Sequence, residues 1–146
     1  MEIRHRLKDG EVGVIRTRKG SAPYTGIQLT DGWMIASDGR KHITSINISQ
    51  AKPDGDGNYT FVISPSDPGA ANWLDTDGLK EGNAILRWQA LPPGATADGL
   101  LQEYKVISLA ELKDAWLKGV PTLTPAERAA QQAAHAAQYD LRTQGR

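Results

Sequence analysis

The sequence predicts a mainly β protein, an antiparallel β-sandwich of jelly-roll type that is followed by a C-terminal α-helical extension. Three observations lead to this prediction. About eight short apolar segments recur before residue 108, turn residues separate them roughly every 8–12 positions, and the pattern then changes to that of capped helices. We therefore divide the chain into a β-sandwich domain, residues 1–107, and a two-helix extension, residues 108–146.

Eight segments carry the alternating or continuous apolar pattern of strands: residues 3–7, 12–17, 24–29, 33–35, 43–49, 59–64, 83–89 and 104–107. The second of these segments is apolar on both of its faces at its centre. In the third, Tyr24 is out of phase with Ile27, and Gly26 between them predicts a bulge or a close approach of another group to the backbone. Residues 66–80 are rich in Pro, Gly, Asn and Asp and predict a long loop.

Two helix start signals follow the last predicted strand. The segment Ser108–Glu111 fits a capping box, and the short helix that it opens is predicted to end near Gly119. The segment Thr124–Glu127 is a second capping box with proline at the first helical position, and its alanine-rich helix is predicted to reach about Arg142. Alanine buries little area, so we expect this helix to pack on the sandwich or on a partner subunit, which predicts a homo-oligomer.

Composition excludes several classes of protein. The chain has 146 residues, no cysteine, and 17 basic side chains that balance 17 acidic ones. Zero net charge argues against a dedicated nucleic-acid binder, because such proteins depend on phosphate neutralisation. No segment approaches the roughly 18 apolar residues of a membrane span, so no membrane partner is predicted. The absence of cysteine excludes a disulfide framework, and together with the lack of a secretory signal it predicts a cytoplasmic location.

The sequence predicts neither a metal nor a cofactor. Asp54, Asp56 and Asn58 begin like a calcium loop, but Tyr59 occupies the position of the required glycine and Pro65 that of the closing glutamate. The three histidines lie far apart in the chain: His5, His42 and His135. Nucleophile-elbow and phosphate-loop motifs are absent from the sequence.

The densest group of chemistry-bearing residues lies between Asp67 and Arg87. The predicted ligand contacts are Trp33, Asn72, Trp73, Asp75 and Arg87. A carboxylate beside an arginine can orient a polar ligand, and a tryptophan supplies an apolar or sugar-stacking face. We expect Arg87 to pair with an acid of the preceding loop, most directly Asp75. In the alternative interpretation the block is a structural corner, in which Trp73 plugs the end of the sandwich and the arginine pins Asp75 or Asp77 internally.

Several motifs together are similar to a known family. They are Trp33, Thr44-Ser45-Ile46-Asn47, Gln50-Ala51, Asp56-Gly57, the block from Asp67 to Thr76, Gly78, Glu81-Gly82 and Arg87-Trp88. They resemble the C-terminal domain of bacterial proteins in the uncharacterised family called domain of unknown function 1214, over roughly residues 20–142. The resemblance implies a jelly-roll β-sandwich in chains that are usually longer, and it implies no established activity.

Three functional hypotheses remain open at this point. The favoured one is a non-catalytic binding or accessory domain whose ligand is a carbohydrate or a small polar or apolar organic molecule. The alternative is an enzyme that acts on a sugar or a related small molecule with Asp75 and Asp77 as an acid/base pair, which requires environments that split their pKa values. A third hypothesis makes the chain an assembly module that associates through its C-terminal helix.

Overall fold

The computed structural model of the chain describes residues 1–144, which form eight strands in two sheets and a C-terminal helix. The first sheet contains, in spatial order, β1 (Glu2–Arg6), β7 (Glu81–Gln89), β3 (Tyr24–Thr30) and β4 (Ser45–Asn47). The second sheet contains, in spatial order, β6 (Trp73–Asp75), β5 (Tyr59–Ser64), β2 (Glu11–Thr17) and β8 (Leu101–Ser108). The chain is therefore mainly β with a C-terminal helix, as the sequence predicts.

One strand lies where the sequence predicts only loop. Strand β6 falls inside residues 66–80 and runs parallel to β5, with Val62 opposite Trp73. The other strand pairs of the described residues are antiparallel. The expectation of a long loop and of a wholly antiparallel sandwich is therefore wrong at this strand. Its three residues are all buried, and such a short segment shows no alternation that sequence analysis could detect.

An apolar core fills the space between the two sheets. Its largest members from the second sheet are Ile15, Phe61, Ile63 and Leu74, and those from the first sheet are Ile27, Leu29, Ile46 and Leu86. Alternation along β3 turns Ile27 into this core and leaves Tyr24 and Gln28 on the opposite face. Burial of each such side chain contributes about 1.5–3 kcal/mol to the free energy of unfolding.

A second apolar cluster covers the outer face of the second sheet. Val12, Val14 and Val62 project there and pack against Leu112. This leucine begins a π-helical segment, Leu112–Trp116, that continues the short helix α1 (Leu109–Glu111). The hydroxyl of Ser108 caps α1 by accepting a hydrogen bond of 3.1 Å from the Glu111 amide. Covering of both sheet faces explains why β2 is apolar on both of its sides.

The C-terminal helix α2 spans Pro125–Thr143 and begins at the predicted capping box. The Thr124 amide donates to the Glu127 carboxylate at 2.7 Å, and the Glu127 amide donates back to the Thr124 hydroxyl at 3.3 Å. This reciprocal pair satisfies two amides that the first helical turn leaves free. None of the helices that residues 1–144 form combines the length and apolar content needed to cross a membrane.

The predicted strand at residues 33–35 is instead a tight turn. One carboxylate oxygen of Asp31 accepts hydrogen bonds from the amides of Trp33 at 2.8 Å and Ile35 at 2.9 Å. Met34 adopts a positive φ of 66°, which extended backbone does not allow. The side chains of Trp33, Met34 and Ile35 are therefore displayed to solvent, with exposed fractions of 84%, 52% and 64%.

Candidate functional site

The block from Asp67 to Trp73 holds the C-terminal helix. The Arg128 guanidinium donates two hydrogen bonds to the Asp67 carboxylate, from Nε to Oδ2 at 2.8 Å and from Nη2 to Oδ1 at 3.2 Å. Its other donors face the carbonyls of Ala70 and Ala71, and its guanidinium carbon lies 5.2 Å from the centroid of the Trp73 ring. Arg128 is 4% exposed, so this block supplies the hydrogen-bond partners of a buried arginine.

Asn72 and Trp73, two of the predicted ligand contacts, have their polar atoms engaged inside the protein. The side chain of Asn72 accepts from the Lys52 amide at 2.8 Å and donates to the carbonyls of Lys52 and Thr60. The indole N–H of Trp73 donates to the Ser64 carbonyl at 3.1 Å. These bonds tie β6 and the segment before it to β5 and to the loop that precedes β5, which fits the structural-corner interpretation for these two residues.

Asp75 and Asp77, the predicted acid/base pair, are both held by His42. Nδ1 of His42 lies 2.8 Å from Asp75 Oδ2, and Nε2 lies 3.0 Å from Asp77 Oδ1. The cavity beside Asp75 measures about 10 Å³, which is room for roughly one water molecule. Within residues 1–144, no group of three or more His, Cys, Asp or Glu side chains is arranged to hold a metal ion.

A groove of about 750 Å³ runs between α2 and the outer face of the first sheet, and we call it the helix groove. Its floor is formed by outward residues of β3, β4 and β7: Tyr24, Gln28, Ser45, Asn47, Ile85 and Arg87. Its wall is formed by the second half of α2: His135, Gln138, Tyr139 and Arg142. Ala36, Ser37 and Gly39, from the loop before β4, complete the lining. The groove opens to solvent and presents amide, hydroxyl, aromatic and guanidinium groups.

The floor depends on the absence of a side chain at Gly26. A Cβ atom built there would lie 2.6 Å from the hydroxyl oxygen of Tyr24 and 3.0 Å from the carbon that bears it. The phenol ring therefore lies flat over the β3 backbone, and Gly26 is the close-approach position that the sequence predicts. This placement keeps an aromatic face on the floor of the groove, with Tyr24 42% exposed.

The wall packs closely on the loop that precedes β4. A Cβ atom at Gly39 would lie 3.0 Å from the ring of Tyr139, so this tyrosine rests against the glycine backbone. Burial lowers the pKa of His135 below its usual 6.5, and the nearby Arg142 lowers it further, while a hydrogen bond to the Gly39 backbone opposes the shift. His135 is therefore a neutral imidazole at neutral pH and serves as a hydrogen-bonding group of the wall.

Two polar contacts pin the second half of α2 in place. Arg40, in the loop before β4, forms an ion pair with Asp140 of α2. The side-chain amide of Gln50 donates to Oε1 of the Gln138 side chain at 3.2 Å. Together with the Arg128 anchor about three turns earlier in the helix, these contacts hold the wall at a fixed distance from the floor.

The structure does not gather the five predicted ligand contacts in one place. Among them, only Arg87 lines the helix groove, whereas Trp33 projects from its turn. The prediction that Arg87 pairs with Asp75 is also wrong. Asp75 contacts His42 instead, and Arg87 forms no ion pair within residues 1–144. The reason is geometric, since Arg87 lies on the face of β7 opposite the core. Sequence analysis did not predict the other residues that line the groove. One signal pointed to them: Tyr24 lies beside Gly26 and faces away from the core side of its strand.

No family model and no curated protein sequence matches the chain. Its fold is similar to that of an uncharacterized protein from Burkholderia cenocepacia, with a TM-score of 0.64 and 30% identity over 76% of this chain. It is also similar to the VPA0106 protein from Vibrio parahaemolyticus, with a TM-score of 0.51 and 17% identity over 73% of this chain. The chain spans 30% of the length of each of these two proteins. The same fold thus forms part of larger bacterial proteins.

Proposed function

We propose that this chain is a non-catalytic binding or accessory domain of jelly-roll type, and that it holds a carbohydrate or another small organic molecule in the helix groove. We also propose that it is a cytoplasmic bacterial domain related to the family called domain of unknown function 1214. The two facing sheets and the motif block between Asp67 and Trp88 support this relationship. The occurrence of the fold within longer bacterial proteins supports an accessory role.

The observation that carries the proposal is the pre-formed helix groove. Its volume of about 750 Å³ falls in the range of about 300–1,000 Å³ that is usual for small-molecule sites. Floor and wall belong to different elements, yet Arg128 and the Arg40–Asp140 pair fix their separation without any ligand. Little conformational entropy is then lost when a ligand enters, which favours binding.

The enzyme alternative has weaker support. Acid/base catalysis requires a carboxyl group within hydrogen-bond reach of a substrate atom, and His42 occupies an oxygen of both Asp75 and Asp77. The adjoining cavity of about 10 Å³ is too small for a sugar. The arrangement instead fixes the loop that precedes β4 to the end of β6 and to the segment that follows it.

Ligand screening with a groove-filling variant tests the proposal. Ser45→Trp places a large ring on the groove floor, and Lys105→Trp places the same ring on the exposed face of β8 as a matched control. Saturation-transfer NMR with a library of sugars and small organic molecules should find ligands for the wild-type chain and the control. The Ser45→Trp variant should lose them. Ligands that bind this variant unchanged, or a library without any ligand, would contradict the proposal.

Self-association is a second candidate function, and it rests on the exposed turn after β3. Asp31 holds this turn rigid while Trp33, Met34 and Ile35 face solvent as neighbouring apolar side chains. Exposed apolar clusters of this kind are typical of protein interfaces. We expect the chain to sediment as a homo-oligomer, and the double variant Trp33→Ser/Ile35→Ser to sediment as a monomer. A wild-type chain that remains monomeric at high concentration would exclude this candidate.

A further inference from the structure

The helix groove is lined by two basic side chains and by no acidic side chain of residues 1–144. Arg87 and Arg142 both line it, whereas no Asp or Glu of the described residues does. Neither arginine forms an ion pair within residues 1–144, although Arg40, which does not line the groove, is paired with Asp140. Charged side chains that converge on a cleft without partners raise the local concentration of ligands of the opposite sign.

The two guanidinium groups come from opposite sides of the groove. Arg87 rises from β7 on the floor, and Arg142 belongs to the last turn of α2 on the wall. The Arg142 guanidinium lies over the Tyr139 ring, with its carbon 5.5 Å from the ring centroid. Stacking on an aromatic ring restricts the orientation of the guanidinium, so less entropy is lost when it binds an acid group.

We infer that the ligand of the helix groove is a small organic acid, whose carboxylate lies between Arg87 and Arg142 and whose cyclic body contacts Tyr24. This inference rests on the function proposed above and specifies its ligand class. The planar fork of a guanidinium matches the two oxygens of a carboxylate. The amide side chains of Gln28 and Gln138 supply hydrogen bonds to hydroxyl groups of the body.

Charge-matched probes test the inference. The probes are 4-hydroxybenzoate, its neutral amide 4-hydroxybenzamide and its amine 4-hydroxybenzylamine, within a wider panel of sugar and aromatic acids that are each paired with their amides. Dissociation constants are measured by NMR titration of the wild-type chain. We expect the acids to bind about tenfold more tightly than their amides, because a hydrogen bond to a charged group is worth more than one between neutral groups.

Three substitutions separate charge recognition from damage to the fold. Arg87→Gln and Arg142→Gln should each weaken binding of the acids about tenfold and leave binding of the amides unchanged. Arg18→Gln removes an exposed arginine that does not line the groove and should change neither affinity. All three side chains are exposed, so melting temperatures should stay near that of the wild-type chain.

The possible outcomes distinguish the inference from the proposed function. Amides or amines that bind in the groove as tightly as the acids would overturn the organic-acid inference and leave the binding function standing. The same holds for acids whose affinity is unchanged in both arginine variants. A panel in which no acid, amide or amine binds would overturn both proposals.

Discussion

Replacement of Arg128 by methionine is expected to release the C-terminal helix from the body of the protein. Methionine keeps an apolar stem of similar length but has none of the five N–H donors of a guanidinium. The change removes the two hydrogen bonds to Asp67 and the contacts with the carbonyls of Ala70 and Ala71. It also removes the cation that lies over the Trp73 ring.

The magnitude follows from the burial of each partner. Removal of one member of a buried ion pair costs about 3–5 kcal/mol, chiefly because the other charge is left unpaired. Asp67 keeps 34% of its side chain exposed and can rehydrate, which places the effect at the lower end of this range. The carbonyls of Ala70 and Ala71 lose a partner in a buried region and add to the cost. We expect the free energy of unfolding to fall by about 3–4 kcal/mol, or roughly 10 °C in melting temperature.

Urea denaturation and amide hydrogen exchange measure this effect. The matched control is Arg142→Met on the same helix, an exposed arginine whose loss should cost less than about 1 kcal/mol. Amides of α2 should exchange faster in Arg128→Met than in the wild-type chain. In the control their exchange rates should not change. In a double-mutant cycle, Asp67→Asn should cost much less in the Arg128→Met background than in the wild-type chain. An Arg128→Met variant as stable as the control would refute the assignment of this arginine as the anchor of α2.

Three further predictions follow from buried or closely packed groups. Burial lowers the pKa of His5 below its usual 6.5, against the opposing effect of Glu81, so the unfolded chain binds more protons and stability should fall as the pH drops below about 6.5. Urea midpoints measured between pH 5 and pH 8 should show this slope, and His5→Phe should reduce it. Asp75→Asn should lower the free energy of unfolding by about 1–3 kcal/mol and Asp77→Asn by less than about 1 kcal/mol, because only Asp75 is buried; equal effects in chemical denaturation would contradict this. Gly26→Ala should displace the exposed Tyr24 ring and weaken ligand binding in titrations, while the melting temperature stays within a few degrees of that of the wild-type chain. An unchanged ligand affinity would exclude Tyr24 from the site.

Local sequence signals predicted the parts of the fold that depend on neighbouring residues. Alternation placed Ile27 in the core and Tyr24 outside it, and the capping box at Thr124 set the start of α2. The burial and pairing of Arg128 could not be predicted in this way. Its partner Asp67 lies 61 positions away, and no local sequence pattern indicates that the two residues pair. An arginine in an alanine-rich helix resembles a solvated residue until its partner is known.

The candidate site was predicted less well than the fold. Proximity in sequence suggested that Arg87 would pair with Asp75, but proximity does not determine which side of a strand faces which loop. Nothing local in the sequence links His42 to Asp75, which lies 33 positions away, although this histidine brings Asp75 and Asp77 together. The helix groove combines a sheet face with a helix from the far end of the chain, so its lining has no contiguous pattern in the sequence.

A map of backbone-amide chemical-shift changes tests the central claim, that the helix groove is the binding site, most directly. The chain is labelled with ¹⁵N and titrated with the tightest ligand from the screen. The groove account predicts that the largest changes fall on β3, β4, the Arg87 region of β7 and residues 135–142 of α2. Changes centred on His42, Asp75 and Asp77 with an unaffected groove would contradict this account and favour the carboxylate enzyme.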